Sequence, residues 1–435
     1  MIKFVPEPHL LDSPRGRDWP RVGAPVLPDP GATPGNSADV VIVGAGPAGL
    51  AVASALWHHG VRDVVVLDRT GRPCGRFFDR IDRLGQRVLR SPYEHHPGVE
   101  GYRDCELLDF ARLHWARLTH TERREIRMAQ AGHRSVVPVD VFEAYCDHLV
   151  TSHHIAERTW QASVREMLPT TDAVTVRANR FTVTAHHAVL CLGEERRPAP
   201  DAWWGGGRPP AGVSFWDEPV PAGGQRQIVV GAGLTAAHLI TGALAAGREV
   251  HWVVREPGER YQCADVNSSF FRPEGRARFD GVDRDGRLEL MRRHRRASIM
   301  FEFRPLLEQA ESDGRLIVHR GESVKEIGDG VVCRLESGRV VEADTAVLAL
   351  GTTPSSGAGL LPPDLVGERD GWPDLDERTL GYARAPRVSV VGAAAGLMLG
   401  PAARNIDGHR VATARVAASI AHSLHRERVP AVTGA

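Results

Sequence analysis

The hydrophobic pattern of this chain is written twice. An apolar run, DVVIV from Asp39, gives way to a glycine-bearing turn, an apolar stretch to His59, then Gly60 and a second run ending at Asp68. Short apolar runs bounded by turn signals predict strands buried on both faces, and the longer stretch between them predicts a helix. The second copy starts at Gln227: the run QIVV, the turn GAGLTA, a helix through Leu244, Gly247 and the run EVHWVVR. Spacing is kept between the copies, since Gly44 to Gly60 equals Gly231 to Gly247, and Gly44 to Asp68 equals Gly231 to Arg255. Each copy is trailed by short alternating segments and an apolar run closed by glycine, AVLCLG at Gly193 and AVLALG at Gly351.

Two strand–helix–strand units with this interruption predict an α/β fold of two Rossmann-like dinucleotide-binding domains, the second inserted into the first. The expected division is a proline-rich arm over 1–36, a first domain over 37–220, an inserted domain over 221–345 and a C-terminal return over 346–435. Gly205 to Pro210 and Pro219 to Gly224 read as the entry linker. The eight prolines of 1–36 suit an extended arm laid over the body, with an unstructured tail as the alternative. The arginine-rich stretch 256–315 is expected to be part helix and part loop facing a cofactor.

The turns carry the first chemistry. In GAGPAG, Gly44 permits a tight turn, Gly46 lets backbone amides approach a pyrophosphate, and Gly49 lets helix and strand pack closely. The helix N-terminus then holds the anion. Asp68, with Arg69 beside it, closes the second strand where a carboxylate accepts hydrogen bonds from ribose hydroxyls, so an unphosphorylated ribose such as that of FAD is expected. In the second copy Gly231 and Gly233 are kept, Ala236 replaces the third glycine, and Arg255 stands in the place of Asp68. A guanidinium there pairs with a 2′-phosphate, which favours NADPH over NADH; the plainer alternative is a strand cap.

Composition narrows the partners. Fifty-four basic and 54 acidic residues leave no net charge in 435 residues, so neither nucleic acid nor an acidic membrane is an expected partner. The uncharged run from Val40 to Trp57 is broken by Gly44, Gly46, Pro47 and Gly49 and is not read as a membrane span. Lys3 and Lys325 are the only lysines, which excludes most lysine-based mechanisms. The six cysteines, Cys74, Cys105, Cys146, Cys191, Cys263 and Cys333, form no CxxC pair, as expected of reduced thiols in a cytoplasm. The pairs His58-His59, His153-His154 and His186-His187 lack a carboxylate at helical spacing, so no metal is expected.

With these motifs in place the chain resembles the two-dinucleotide-binding flavoproteins over residues 38 to 425, and within them the flavin-dependent N-hydroxylating monooxygenases of ornithine or lysine. Gly85-Gln86 stands where those enzymes carry Met-Gln, and VPVDVFEAYCDHLV from Val137 and DVNSSFFRPE from Asp265 are similar to two of their segments. The terminal VVGAAAGLMLGPAARNIDGHRVA resembles the strand and helix that close over the flavin. The resemblance implies that Gln86, Gly193, Gly351, Gly392, Gly400 and Asn405 contact cofactor. It implies FAD reduced by NADPH, O2 taken up as a flavin C4a-hydroperoxide, and transfer of oxygen to the nitrogen of a small-molecule substrate.

The departures are specific. The family's substrate-selecting lysine after Met-Gln is replaced by the neighbourhood of Arg90 and Ser91, which argues against a diamine amino acid. The acidic residue that wider relatives place after the last glycine is Ala393. The histidine of ketone- and amine-oxidising flavin monooxygenases is missing from GVSFWDEP. LRSPYEHHPG from Leu89 is the candidate substrate lining, with Arg90, Tyr93, His95 and His96 as catalytic candidates; a solvated surface loop is the alternative. A reductase, oxidase or dehydrogenase with a quinone, ferredoxin or small-molecule acceptor, or a non-catalytic flavin- and NADPH-binding protein, stays open, as does a homo-oligomer.

Overall fold

The computed structural model describes residues 8–29, 31–99, 106–220, 223–264, 268–271 and 273–428. In the first unit the repeat becomes β1 (Ser37–Val43), α1 (Pro47–His58) and β2 (Val64–Asp68), followed later by β3 (Thr159–Gln161) and β4 (Thr182–Leu190). The second unit holds β5 (Arg226–Val230), α2 (Leu234–Ala245), β6 (Glu249–Val254), β7 (Leu316–Arg320) and β8 (Thr345–Leu348). The chain then returns to the first unit with β9 (Ala385–Val390) and α3 (Ile406–Arg428).

The order β9-β4-β1-β2-β3 is parallel throughout, with Val40 beside Val64 on one side and His187 on the other. A central parallel strand is covered on both faces, which is why Val40 to Val43 are all apolar and all buried. Every residue of α1 from Pro47 to Leu56 is also buried, because the helix lies between the sheet and α3. Its alanines and Gly49 allow that close approach, and its regular turns start at Pro47, whose missing N–H costs nothing there. An antiparallel pair, Val164–Pro169 with Val174–Ala178, extends the sheet beyond β4.

The second sheet is parallel in the order Val213–Phe215, β8, β5, β6, β7. This moves both expected boundaries. Val213–Phe215 pairs with β8, and Ala199, Trp203 and Trp204 pack with Ile228 and Val230, so the inserted unit begins near 197 rather than 221. The glycine- and proline-rich stretch 205–210 is a loop within that unit. A boundary at 345 would cut β8, and the chain instead leaves the unit near Gly351. The two crossings, Glu194–Arg196 and Thr352–Pro354, pair with each other as a two-stranded antiparallel ribbon.

Of the two expectations for 1–36, the described part takes the arm. Leu10 is buried in the core of the inserted unit, Arg17 reaches Glu122 (2.7 Å) and Asp140 (2.6 Å), and Trp19 Nε1 donates to Asp140 (2.7 Å). Within 256–315 lie the helices Pro273–Asp280, Arg284–His294 and Arg304–Ser312. Phe279 and Met291 of the first two pack on Trp372 and Leu397 of the return segment, and Arg276 donates to the carbonyls of Met398 and Leu399. Among the described residues no helix is long and apolar enough to cross a membrane.

Candidate functional site

A cleft of about 2040 Å³ lies between the units, lined by Gly44, Gly46, Asp68 and Arg69 from one and by Gly231, Gly233 and Arg255 from the other. Pockets for one drug-sized ligand span roughly 300–1,000 Å³, so this cleft has room for two large ligands. The glycines divide by what a side chain would meet. At Gly44 (φ +101°) a Cβ would stand 2.4 Å from the Cys191 carbonyl oxygen, and at Gly49 it would stand 2.0 Å from that of Gly44. Those two are required by the protein itself. A Cβ at Gly46 would meet no protein atom within 4 Å. That glycine keeps space open in the cleft.

The second turn repeats the division. A Cβ at Gly231 (φ +132°) would stand 2.2 Å from the Ala349 carbonyl oxygen, whereas at Gly233 its nearest neighbour is Ala297 Cβ at 4.0 Å. Ala236 is fully buried where the first copy has Gly49. Gly46 and Gly233 are the N-caps of α1 and α2 and provide no side-chain cap, so the first-turn N–H groups of both helices are available to an anion.

Side chains at the strand ends complete each cradle. Asp68 accepts from Ala45 N–H on Oδ2 (2.9 Å) and from Thr70 N–H (2.8 Å) and Oγ1–H (2.6 Å) on Oδ1, which leaves Oδ2 able to accept one more hydrogen bond. Arg255 is exposed on the cleft wall at the equivalent place. Gly193 (φ +68°) and Gly351 (φ +85°) line the cleft where the chain turns out of β4 and β8. Gln86 lines it too, donating from Nε2 to the Val88 carbonyl (2.8 Å). Asn405 precedes α3, its carbonyl accepting from His409 N–H (3.0 Å), and lines the cleft with Ile406 and His409. Gly392 (φ +111°) is the turn that brings its neighbour Ala393 to the wall. Phe270 lies against Gly400, where a Cβ would come 2.1 Å from its ring; residues 265–267 of the DVNSSFFRPE segment lie outside the described residues.

The loop of four catalytic candidates is split by its own geometry. Arg90 and His95 line the cleft, with Arg90 Nη2 donating to Ser298 Oγ (2.9 Å) and the Gln262 carbonyl (3.2 Å) across the units. Tyr93 points the other way, fully buried in the first core with no hydrogen-bond partner for its hydroxyl among the described residues, and burial raises its pKa. His96 is buried beside it, its Nδ1 3.3 Å from Tyr145 Oη. Neither lines the cleft. Across the turn in which His95 N–H donates to the Pro92 carbonyl (3.0 Å), Tyr93 and His96 go to the core while Pro92 and His95 face the cleft.

His95 Nε2 lies 3.6 Å from Asp407 Oδ2, in the first turn of α3. Burial, then the positive charges of Arg410 and His96, lowers the His95 pKa to about 4. Burial, then the charge of Glu94, raises that of Asp407 to about 6. At neutral pH the imidazole is therefore uncharged and the carboxylate ionised, a charge–dipole contact rather than an ion pair. Asp407 and His409 escaped the sequence reading, although both stand in the IDGHR start of the terminal helix; burial pushes His409 down to about 4 as well.

A second cavity of about 1110 Å³ adjoins the first, sharing Arg90, Pro92, His95, Arg260, Ala264 and Arg296 with it. Cys191 lines the cleft and Cys263 the second cavity, while Cys74 and Cys146 sit together in the first core; all four are free thiols. Among the described residues no three His, Cys, Asp or Glu side chains are placed to hold a metal ion.

A family described as an NAD(P)-binding Rossmann-like domain matches residues 42–103. No curated protein matches the chain by sequence. Solved structures do. The chain is similar to the reduced form of an ornithine hydroxylase from Pseudomonas aeruginosa at 16% identity and a TM-score of 0.71, over 89% of this chain and 100% of that one. It is similar to the ornithine N-hydroxylase of Kutzneria sp. 744, solved with reduced FAD, NADP⁺ and L-ornithine, at 17% and 0.69 over 89% and 100%. A bacillithiol disulfide reductase from Bacillus cereus follows at 15% and 0.61 over 89% and 99%. The fold is the one these solved structures share, and their names show that it hosts more than one chemistry.

Proposed function

We propose that this chain is an FAD- and NADPH-dependent monooxygenase that hydroxylates a nitrogen of a small-molecule substrate. The observation that carries the reading is the pair of cradles opening on one cleft, one closed by Asp68 and the other by Arg255. The open space at Gly46 and Gly233 fits the groups these cradles would hold. FAD would rest its pyrophosphate on the N-terminus of α1 and its ribose on Asp68, and NADPH its phosphates on α2 and Arg255. Bound together, the two cofactors supply hydride transfer and the activation of O2.

The protein's part is to hold, shield and orient. The N-terminus of α3, with Asn405 before it, presents partial positive charge to the cleft, suited to the electron-rich edge of a reduced ring. Uncharged His95 can accept a hydrogen bond from a substrate N–H and leave the nitrogen lone pair free to attack. In balance, NADPH, a proton, O2 and an N–H compound give NADP⁺, water and the N–OH product. A thiol–disulfide reductase is disfavoured, since burial raises the pKa of Cys191 at the cleft wall and of Cys146 in the core, and a thiol held protonated is a poor nucleophile. The five free cysteines fit a reducing compartment such as the cytoplasm.

The test is the stoichiometry of NADPH, O2, peroxide and N–OH on purified protein supplied with FAD and a panel of amines. One N–OH formed per NADPH with at least one amine is the expected result. Protein that stays colourless with excess FAD, or that passes electrons to quinones or ferredoxin and never to an amine, overturns the reading.

A further inference from the structure

The second cavity carries a charge that the chain as a whole does not. Five arginines line it, Arg90, Arg134, Arg260, Arg293 and Arg296, against one carboxylate, Glu94, among the described residues. Arg134 is matched by buried Glu302, which holds it in a two-pronged ion pair. Arg260, Arg293 and Arg296 are exposed to the cavity and no described residue forms an ion pair with them. In a protein of zero net charge this excess is a local arrangement, assembled from four separate segments, one of them the end of the helix Arg284–His294.

From this arrangement we infer that the second cavity is the substrate entry and selects an amine that also carries two oxyanion groups, an amino dicarboxylate or phosphorylated amino acid, and not a cationic diamine. The inference rests on the monooxygenase reading for the role of the main cleft. Guanidinium forks bind carboxylate and phosphate in the same two-pronged way, so oxyanion is the chemistry that the walls specify. A diamine amino acid brings a second ammonium into a wall where free cations outnumber carboxylates. His95, Arg90 and Pro92 line both cavities, so a molecule held by Arg293 in the second cavity borders the imidazole that also faces the main cleft. Arg260 and Arg296 also border the main cleft, where a nucleotide phosphate could claim them, but Arg293 borders the second cavity alone.

FAD-loaded protein saturated with NADP⁺ is therefore titrated with L-aspartate, L-glutamate, O-phospho-L-serine, L-ornithine and cadaverine, followed by flavin absorbance and by calorimetry. At least one acidic ligand is expected to bind ten times or more tighter than ornithine and cadaverine, and to weaken with added salt. The phosphoserine arm separates phosphate from carboxylate as the preferred oxyanion. An Arg293→Gln variant, checked for unchanged FAD content and melting, is expected to lose tenfold or more in acidic-ligand affinity while its NADP⁺ affinity stays put. Should that variant not fold, the ligand ranking and its salt dependence in the unaltered protein carry the test. Ornithine binding as tightly as the acids, no binding by any acid, or a variant that loses NADP⁺ instead would overturn the inference. Protein that takes up no FAD overturns the monooxygenase reading, and calorimetry without flavin still reads this one.

Discussion

Two glycines three residues apart make opposite predictions. Replacing Gly49 by alanine puts a methyl 2.0 Å from the Gly44 carbonyl oxygen and 3.0 Å from its carbon, backbone against backbone, so α1 must move off the strand. Overpacking of this kind costs about 1–3 kcal/mol and occasionally more, and it falls on the apoprotein. Replacing Gly46 meets nothing within 4 Å, and its φ of −66° suits alanine. Alanine gains about 0.4–1 kcal/mol by restricting the unfolded chain. It loses a similar amount as a poorer N-cap. Apo stability should therefore move by less than about 1 kcal/mol, while a methyl in the phosphate path weakens FAD by about 1–3 kcal/mol, or roughly 5- to 150-fold. Thermal melting of flavin-free protein and FAD titration by fluorescence quenching read the two quantities separately. A Gly46→Ala protein that is destabilised without flavin, or that binds FAD as the parent does, refutes the assignment of that space to the cofactor.

Other perturbations follow from the same geometry. Arg255→Ala should weaken NADPH by about 1–3 kcal/mol and leave NADH nearly unchanged, since only the former carries a 2′-phosphate for a charge-assisted contact; equal losses would show that the side chain does not read it. Glu194 joins Arg295 of the inserted unit (2.8 Å) to Arg404 of the return segment (2.9 Å), and Glu194→Ala should destabilise by about 1–3 kcal/mol, less than a fully buried pair because all three groups keep some solvent. Hydrogen exchange rising at both crossing strands would confirm the latch, and unchanged exchange would dismiss it. His95, His187, His238 and His409 are each pushed down to about 4 by burial, below the unfolded value near 6.5, so the unfolded chain binds more protons between those limits. Their stabilisation is complete above that window and lost as the pH falls through it, by about 1.4 kcal/mol per unit for each. Asp407, raised to about 6, opposes one of them, because its contribution is present at low pH and lost as the pH rises through that value. Urea unfolding between pH 7 and 4.5 should show this slope, and His238→Gln should flatten it by one proton.

What could be read from the chain was whatever its local neighbours dictate. The strands around Val40 and Ile228 are apolar because each is covered on both faces, and that demand leaves a run in the sequence. The turn glycines were legible because Gly44, Gly49 and Gly231 each answer a backbone clash that no other residue could avoid. Direction along a loop was not legible. Tyr93 and His96 look as functional as Arg90 and His95, and a single turn at Pro92 decides which pair reaches the cleft. The entry boundary failed for a related reason, since a Gly- and Pro-rich stretch marks a loop without saying whether it joins two units or lies within one. Val213–Phe215 is too short to announce that it will pair with β8.

The interface between the units bears on how three reactants could meet. Arg90 to Ser298, Arg134 to Glu302, Glu194 to Arg295, and Met291 against Leu397 tie the inserted unit to the rest of the chain at four places around the cleft. The three polar contacts are each specific to one separation, since hydrogen bonds fade within a few tenths of an ångström beyond their usual length. With two dinucleotides in the cleft, the cavity that shares Arg90, Pro92 and His95 with it offers the third reactant a route. The charge of that route then selects the substrate before any chemistry begins. Interface substitutions such as Glu194→Ala should therefore shift substrate affinity and cofactor affinity together, whereas Arg293→Gln should shift the first alone.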